Sequence, residues 1–204
     1  MKVLLINGSP HANGCTFTAL NEVATALNEH GIETQIYHIG NKPVRGCIAC
    51  GGCGRSGNCV FNDDVANEIG DLMVAADGIV IGSPVYYAGP NGALCALLDR
   101  AFYSHGRQLA FKPAAAVVSA RRSGTTATFD RLNKYFTISK MPVVSSQYWN
   151  AVHGFTPDDV RKDEEGLQTM RTLGNNMAWM LKNIKSGIEP LPNPEPRKTT
   201  NFIM

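Results

Sequence analysis

The chain has almost no charge of one sign to spare. Its 204 residues carry 19 basic and 17 acidic side chains, a formal net charge of +2. No block of lysines and arginines forms a stripe, which weighs against nucleic acid or a membrane surface as the main partner. Long apolar runs are missing too: none approaches the roughly 20 residues of a membrane span. The apolar run at the start, Val3 to Ile6, meets a Gly-Ser-Pro turn at once, too short for the core of a signal peptide. A cytoplasmic location is the expectation. The Gly-Lys-Ser/Thr ending of a P-loop is absent, which argues against an NTPase. The five histidines are scattered and show no Ser/His/Asp triad logic. Internal repeats and a second domain are likewise not seen.

What is present is core material. Apolar residues make up 44% and charged residues 18% of the chain, enough for one full α/β core. Lys2–Asn7 reads as a buried strand, and Thr16–Glu29 as a helix with Phe17, Leu20, Val23, Ala24 and Leu27 on its apolar face. Gly31 sits where a helix C-cap would. Further strands are expected at Thr34–Ile39, Asp77–Ile81, Ala114–Ser119 and Val143–Ser146. Helices are expected at Asp63–Ala76, Gly92–Tyr103 and Thr126–Ser139. One long helix should follow Pro157, its stripe formed by Leu167, Met170, Leu173, Met177, Leu181 and Ile184. Alternating strands and helices with continuous apolar strands imply a doubly wound parallel sheet. The expected layout is a single domain over 1–186, interrupted by a cysteine-rich loop at 44–62. Prolines at 190, 192, 194 and 196 make 187–204 an extended tail, loose or draped on a neighbouring subunit.

Such sheets bind ligands beyond the C-terminal ends of their strands, so the loops there carry the functional reading. After the first strand comes Gly8-Ser9-Pro10-His11-Ala12-Asn13-Gly14-Cys15-Thr16, which opens a helix. Small residues let several backbone N–H groups face one point, and the helix N-terminus adds partial positive charge: a phosphate site. Ser9, Asn13 and Thr16 offer side-chain hydrogen bonds, and His11 is expected over the phosphate. After the third strand, Gly82 to Gly92 holds two prolines and the adjacent Tyr86 and Tyr87. That stiff loop offers flat side chains and backbone polar groups to a planar ring system. After the fourth strand, Ser119-Ala120-Arg121-Arg122-Ser123-Gly124 brings paired arginines, suited to a reduced ring's negative charge or a nucleotide phosphate.

The cysteines Cys47, Cys50, Cys53 and Cys59 stand within thirteen residues of a Gly-rich loop. An iron–sulfur cluster, a structural zinc and free or oxidised thiols are all open to such a set. The G-x-G-x-x-G at Gly52, Gly54 and Gly57 follows no strand and opens no expected helix, so it is read as chance. Cys15 and Cys95 are assigned no catalytic role.

The segments GSPHANGCT, DGIVIGSPVYYAGPNGALCALLDR and VHGFTPDDVRKDEEGLQTMRTLG resemble the NAD(P)H-dependent FMN reductases of the flavodoxin-like superfamily, and more narrowly its iron–sulfur flavoproteins. The resemblance runs over nearly the whole chain, and SPVYYAG is its most specific part. It implies a flavodoxin-like five-stranded sheet of order 2-1-3-4-5 and a homodimer or homotetramer. It further implies an FMN phosphate at Ser9, His11, Asn13, Gly14, Cys15, Thr16 and Phe17. The isoalloxazine would lie against Pro84, Val85, Tyr86, Tyr87 and Gly89 and against Ser119, Arg121, Arg122 and Gly124. The cysteine spacing resembles the compact motif that holds a 4Fe–4S cluster in the iron–sulfur flavoproteins. Because the flavin carries the chemistry, Tyr87, His153 and Arg121 are only auxiliary catalytic candidates.

The expected reaction passes electrons from NAD(P)H, or singly from a ferredoxin-like donor, through FMN to a small-molecule acceptor. The rival reading is a flavodoxin-like electron carrier without turnover, against which the near-neutral charge weighs.

Overall fold

The computed structural model describes residues 1–192, 195, 196, 198 and 200. The elements are β1 (Lys2–Asn7), α1 (Cys15–Glu29), β2 (Glu33–His38), α2 (Cys53–Ser56), α3 (Ala66–Ala75), β3 (Gly78–Tyr86), β4 (Gly89–Pro90), α4 (Gly92–His105), β5 (Ala114–Ala120), α5 (Thr125–Ile138), β6 (Ala151–His153), α6 (Pro157–Lys162) and α7 (Glu164–Ser186). Five parallel strands lie in the order β2-β1-β3-β5-β6, and the two-residue β4 folds back antiparallel on β3. This is the flavodoxin-like 2-1-3-4-5 order, with its reversal between β1 and β3.

The continuous apolar strands are explained by two cores, one on each face. Leu4, Ile6, Ile79, Ile81, Ala114 and Ala116 point to the face covered by α3, α4 and α5. Val3, Leu5, Val80, Ala115 and Val117 point to the face covered by α1 and α7. A side-chain period of two sends alternate residues to opposite faces, so a strand buried on both must be apolar throughout. On the second face α1 and α7 come close at Gly174, where a Cβ would stand 2.7 Å from the Ala26 Cβ and 2.9 Å from the Val23 carbonyl oxygen.

Several boundaries depart from the sequence reading, each for a local reason. The strand expected at Val143–Ser146 forms only a bridge from Val143 to Ala114. The chain then leaves the sheet and returns as β6, eight residues after Val143. Asn150, buried at the return, donates its amide to the Ala116 carbonyl (3.1 Å) while its own carbonyl accepts from Val118 N (2.9 Å). A side chain thus does the work of the missing ladder, which no apolar pattern signals. The long helix is broken at Asp163, whose carboxylate accepts from Gly166 N (2.9 Å) and from His153 N (2.6 Å). A cap and a tie to β6 outweigh helical continuity there. Ile184, expected in the apolar stripe, is exposed. At ~1.5 Å per residue α7 outruns the sheet beneath it. Helix α3 starts at Ala66, not Asp63; α2 adds a single turn inside the cysteine loop; β3 runs on to Tyr86. In the tail, Pro194 lies outside the described residues.

Lys112 closes the C-terminus of α3. Its ammonium donates to the carbonyls of Ala76 (2.6 Å), Met73 (3.4 Å) and Val74. A cation at a helix C-terminus satisfies orphan carbonyls and complements the dipole. Lys112→Met is expected to lower stability by about 1–2 kcal/mol in urea unfolding, with m unchanged. A change under 0.3 kcal/mol would mean that water replaces the ammonium without penalty.

Candidate functional site

The three loops that follow β1, β3 and β5 meet at the C-terminal edge of the sheet. Pairing puts Asn7 beside Gly82, Pro84 beside Ser119, and Ala120 beside His153. The β1 and β3 ends cross tightly: Gly8 N donates to Gly82 O (2.9 Å), and a Cβ on Gly8 would come within 2.8 Å of that oxygen.

The first loop is built around Asn7, which is fully buried. Its Oδ1 accepts from Ser9 N (3.1 Å) and its amide donates to Ala12 O (3.1 Å). The Ser9 hydroxyl accepts from His11 N (3.1 Å), and the His38 ring donates to Ser9 O (2.8 Å), so its Nε2 carries the proton. The result is a folded loop in which the carbonyls of Ser9, His11 and Ala12 are taken. Helix α1 then begins after its N-cap Gly14, with no side-chain cap and no acidic residue in its first turn. Its leading N–H groups have no intrahelical acceptor and point out of the helix end. The Thr16 hydroxyl shares a 2.8 Å hydrogen bond with that of Ser119, tying the first loop to the one after β5. His11 and Asn13 are exposed, Gly14, Cys15 and Phe17 half-buried, and Ser9 and Thr16 buried. Burial pushes the Cys15 thiol above its usual range, so it stays protonated at neutral pH.

The second loop is a hairpin. Val85 pairs with Pro90 and Tyr86 with Gly89, leaving Tyr87 and Ala88 as the turn. Both have positive φ, 50° and 56°. Two successive left-handed residues make a type I′ turn, in which a non-glycine residue costs about 1–2 kcal/mol. Strain of this kind clusters at functional sites. Two contacts hold it. Ser83 Oγ accepts from Asn91 N (3.0 Å) and donates to Pro84 O (2.9 Å), clipping the hairpin's base. Gly124, at φ 91°, packs so closely that a Cβ there would lie 2.9 Å from the Ala88 Cα. Tyr87 stands fully in solvent. Asn91 caps α4 through Ala93 N (2.8 Å) and Leu94 N (3.2 Å).

Arg121 and Arg122 are exposed on the loop after β5. Helices α1, α4 and α5 all start at this edge, and none has an acidic residue in its first turn. The crevice is therefore electropositive without a formal cluster of cations. His153 lies at the end of β6, half exposed, with its Nδ1 3.8 Å from the Asp163 carboxylate. Cys15 Sγ reaches Gly154 O at 3.8 Å, so the β6 end borders the first loop.

The cysteine loop lies elsewhere, against α4. Cys47, Cys50, Cys53 and Cys59 line one cavity of ≈ 280 Å³ with Ile48, Val60, Phe61, Tyr103 and Arg100 among its walls. All four are free thiols. Among the described residues no three His, Cys, Asp or Glu side chains gather about a common metal position. The set is brought to one cavity but not to one point. As a donor set, four thiols around an apolar void suit a thiolate-held cluster.

Sequence reasoning missed Asn7, Ser83, His38, Asp64 and Arg100. Asn7 before Gly-Ser and Asn91 before Gly92 carry a local capping signal. Arg100 and Asp64 are 36 residues apart, and nothing local announces their pairing.

The fold and crevice define a class: a flavodoxin-like α/β protein in which α1 starts, without a side-chain cap, at the β1/β3 reversal. The model of the NADPH-dependent FMN reductase family matches residues 1–156. An iron–sulfur flavoprotein of Methanocaldococcus jannaschii is 38% identical over 193 residues, 91% of this chain and 100% of that one. Another, from Methanosarcina thermophila, is 30% identical over 189 residues, covering 91% and 97%. A flavone reductase structure superposes with a TM-score of 0.71 at 19% identity over 91% of this chain and 64% of that one, a likeness of fold. The chain belongs to the NADPH-dependent FMN reductase family, and so to the FMN-dependent oxidoreductases. Among the described residues no helix is long and apolar enough to cross a membrane.

Proposed function

We propose that this protein is an NAD(P)H-dependent FMN reductase that also carries the iron–sulfur site of its relatives. The observation that carries the flavin reading is the uncapped, acid-free N-terminus of α1 behind a loop already folded on Asn7. Leading N–H groups without a partner suit a phosphate dianion. Ser9, His11, Asn13, Gly14, Cys15, Thr16 and Phe17 would surround the phosphate. Pro84, Val85, Tyr86, Tyr87 and Gly89 would border one side of the ring system, and Ser119, Arg121, Arg122 and Gly124 the other. Bound FMN supplies one- and two-electron chemistry from its own ring.

The chain's residues then have limited tasks. The strained turn at Tyr87-Ala88 presents backbone groups at a set height, and Gly124 behind it keeps that height fixed. Arg121 and Arg122 offset negative charge on a reduced ring or hold the donor's phosphate. His153, steadied by Asp163, can exchange a proton with a small-molecule acceptor at the mouth. The four loop cysteines would hold a 4Fe–4S cluster, which would store single electrons. Such a cluster would open a second route of supply, from a ferredoxin-like donor. A homodimer or homotetramer in the cytoplasm completes the reading.

The test is an anaerobic visible spectrum with iron and acid-labile sulfide assayed on the same sample. Flavin bands near ~450 nm, the cofactor's own absorption, are expected. Their absence after addition of FMN would remove the flavin reading. About four irons per chain, as one cubane needs, are expected as well. Flavin with no iron, and NAD(P)H oxidation intact, would leave a plain FMN reductase.

A further inference from the structure

Among the described residues, the most deeply buried charge sits against the cysteine loop. Arg100, on α4, is 1% exposed, although arginine is rarely buried without a reason. Its donors are spent almost wholly on the loop. Nε donates to Cys59 Sγ (3.2 Å), one terminal nitrogen to Arg45 O (3.2 Å) and to the Asp64 carboxylate, and the other to Phe61 O (3.0 Å). Arg45 stands just before the first cysteine; Phe61 and Asp64 stand just after the last. One planar guanidinium therefore fastens both ends of the loop and touches one of its sulfurs. Asp64 supplies the compensating charge and is itself held by Arg45 N (3.2 Å) and Ala66 N (3.0 Å). Neither the flavin loops nor any residue of the crevice takes part.

We propose that Arg100 is the positioning residue of the cysteine site: it holds the Cys59 sulfur toward the cavity and remains its hydrogen-bond donor when that sulfur ligates a cluster. The inference rests on the iron–sulfur reading above. A donor to a ligating sulfur stabilises the more negative, reduced state of a cluster and raises its potential. Lysine cannot replace it: it carries a charge to face Asp64 but lacks the N–H at the ε position and the rigid fork.

The test uses the full chain purified anaerobically, as wild type, Arg100→Lys and Arg100→Gln. Iron, sulfide and FMN per chain are measured, with the cluster's midpoint potential and the rate of iron loss to a ferrous chelator. Flavin content reports folding, because the flavin loops share no residue with this network. Both variants are expected to keep wild-type flavin content. They are expected to lose iron about tenfold faster or more, and the cluster that remains should have a more negative potential. Wild-type iron retention and potential in Arg100→Lys would overturn the inference and leave the cluster intact. Parallel loss of flavin and iron in both variants would also overturn it, since the arginine would then be holding the fold. A wild-type chain that takes up no iron would overturn this inference and the iron–sulfur reading together, the flavin reading standing apart.

Discussion

Asp64→Ala is expected to lower the unfolding free energy by about 3–5 kcal/mol, since removing one partner strands a buried charge. The Arg100 side chain is fully buried and that of Asp64 is 5% exposed, so no solvent takes over when the carboxylate goes. At about 2–4 °C per kcal/mol for a chain of this size, the melting point should drop by roughly 6–20 °C. The comparison needs the same saturating FMN in both samples, because ligand binding raises apparent stability by mass action. Adding Arg100→Met to Asp64→Ala should recover part of the loss, as it removes the stranded guanidinium. A single mutant within 1 kcal/mol of wild type would show that water reaches the pair.

The same pair sets a pH dependence. Burial works against the charged form of Asp64. The Arg100 guanidinium and the N–H groups of Ala66 and Arg45 more than offset it, so its carboxyl titrates below the usual carboxylate range. With a folded value below the unfolded one, the contribution is complete above about pH 4 and is lost as pH falls through the folded value. Stability should therefore decline on acidification below about pH 4 in wild type, and less so in Asp64→Ala. Equal slopes in the two proteins would remove Asp64 as the cause.

Asn13→Asp is expected to move two quantities in opposite directions. Asn13 is exposed, one residue before Gly14, the N-cap of α1. A carboxylate there interacts favourably with the helix dipole and should stabilise the flavin-free protein by about 0.3–1 kcal/mol. It also repels a phosphate dianion at the same place. An added penalty of about 1.4–3 kcal/mol corresponds to roughly ten- to more than a hundredfold weaker FMN binding. Flavin fluorescence titration and urea unfolding of the apoprotein measure the two. Riboflavin, which lacks the phosphate, should bind both proteins alike; an equal loss for riboflavin would move the phosphate site elsewhere.

How much of this was legible beforehand differs between fold and site. The alternation of apolar strands and amphipathic helices carries the doubly wound architecture, because the periods of two and 3.6 residues are local properties of the chain. The loop proposed for the phosphate was legible as a loop for the same reason: Gly8 to Thr16 is one contiguous stretch between a strand and a helix. The broken edge strand was not, because Asn150 replaces a ladder bond with a side-chain amide to Ala116, 34 residues away. The break at Asp163 was hidden in a helical pattern, since the tie to His153 N is a tertiary contact.

The chain's local pattern alone determined the layers, the positions of β1, β2, β3 and β5, and the residue types offered to the proposed phosphate and ring sites. Only the tertiary structure decided that the cysteines share one cavity beside α4, and that Thr16 meets Ser119 across 103 residues. It alone put the strained Tyr87-Ala88 turn on Gly124 and paired Arg100 with Asp64 behind Cys59. The reason is physical: a period is written along a few turns of chain, whereas a buried hydrogen bond or ion pair exists only when folding removes the water from both partners.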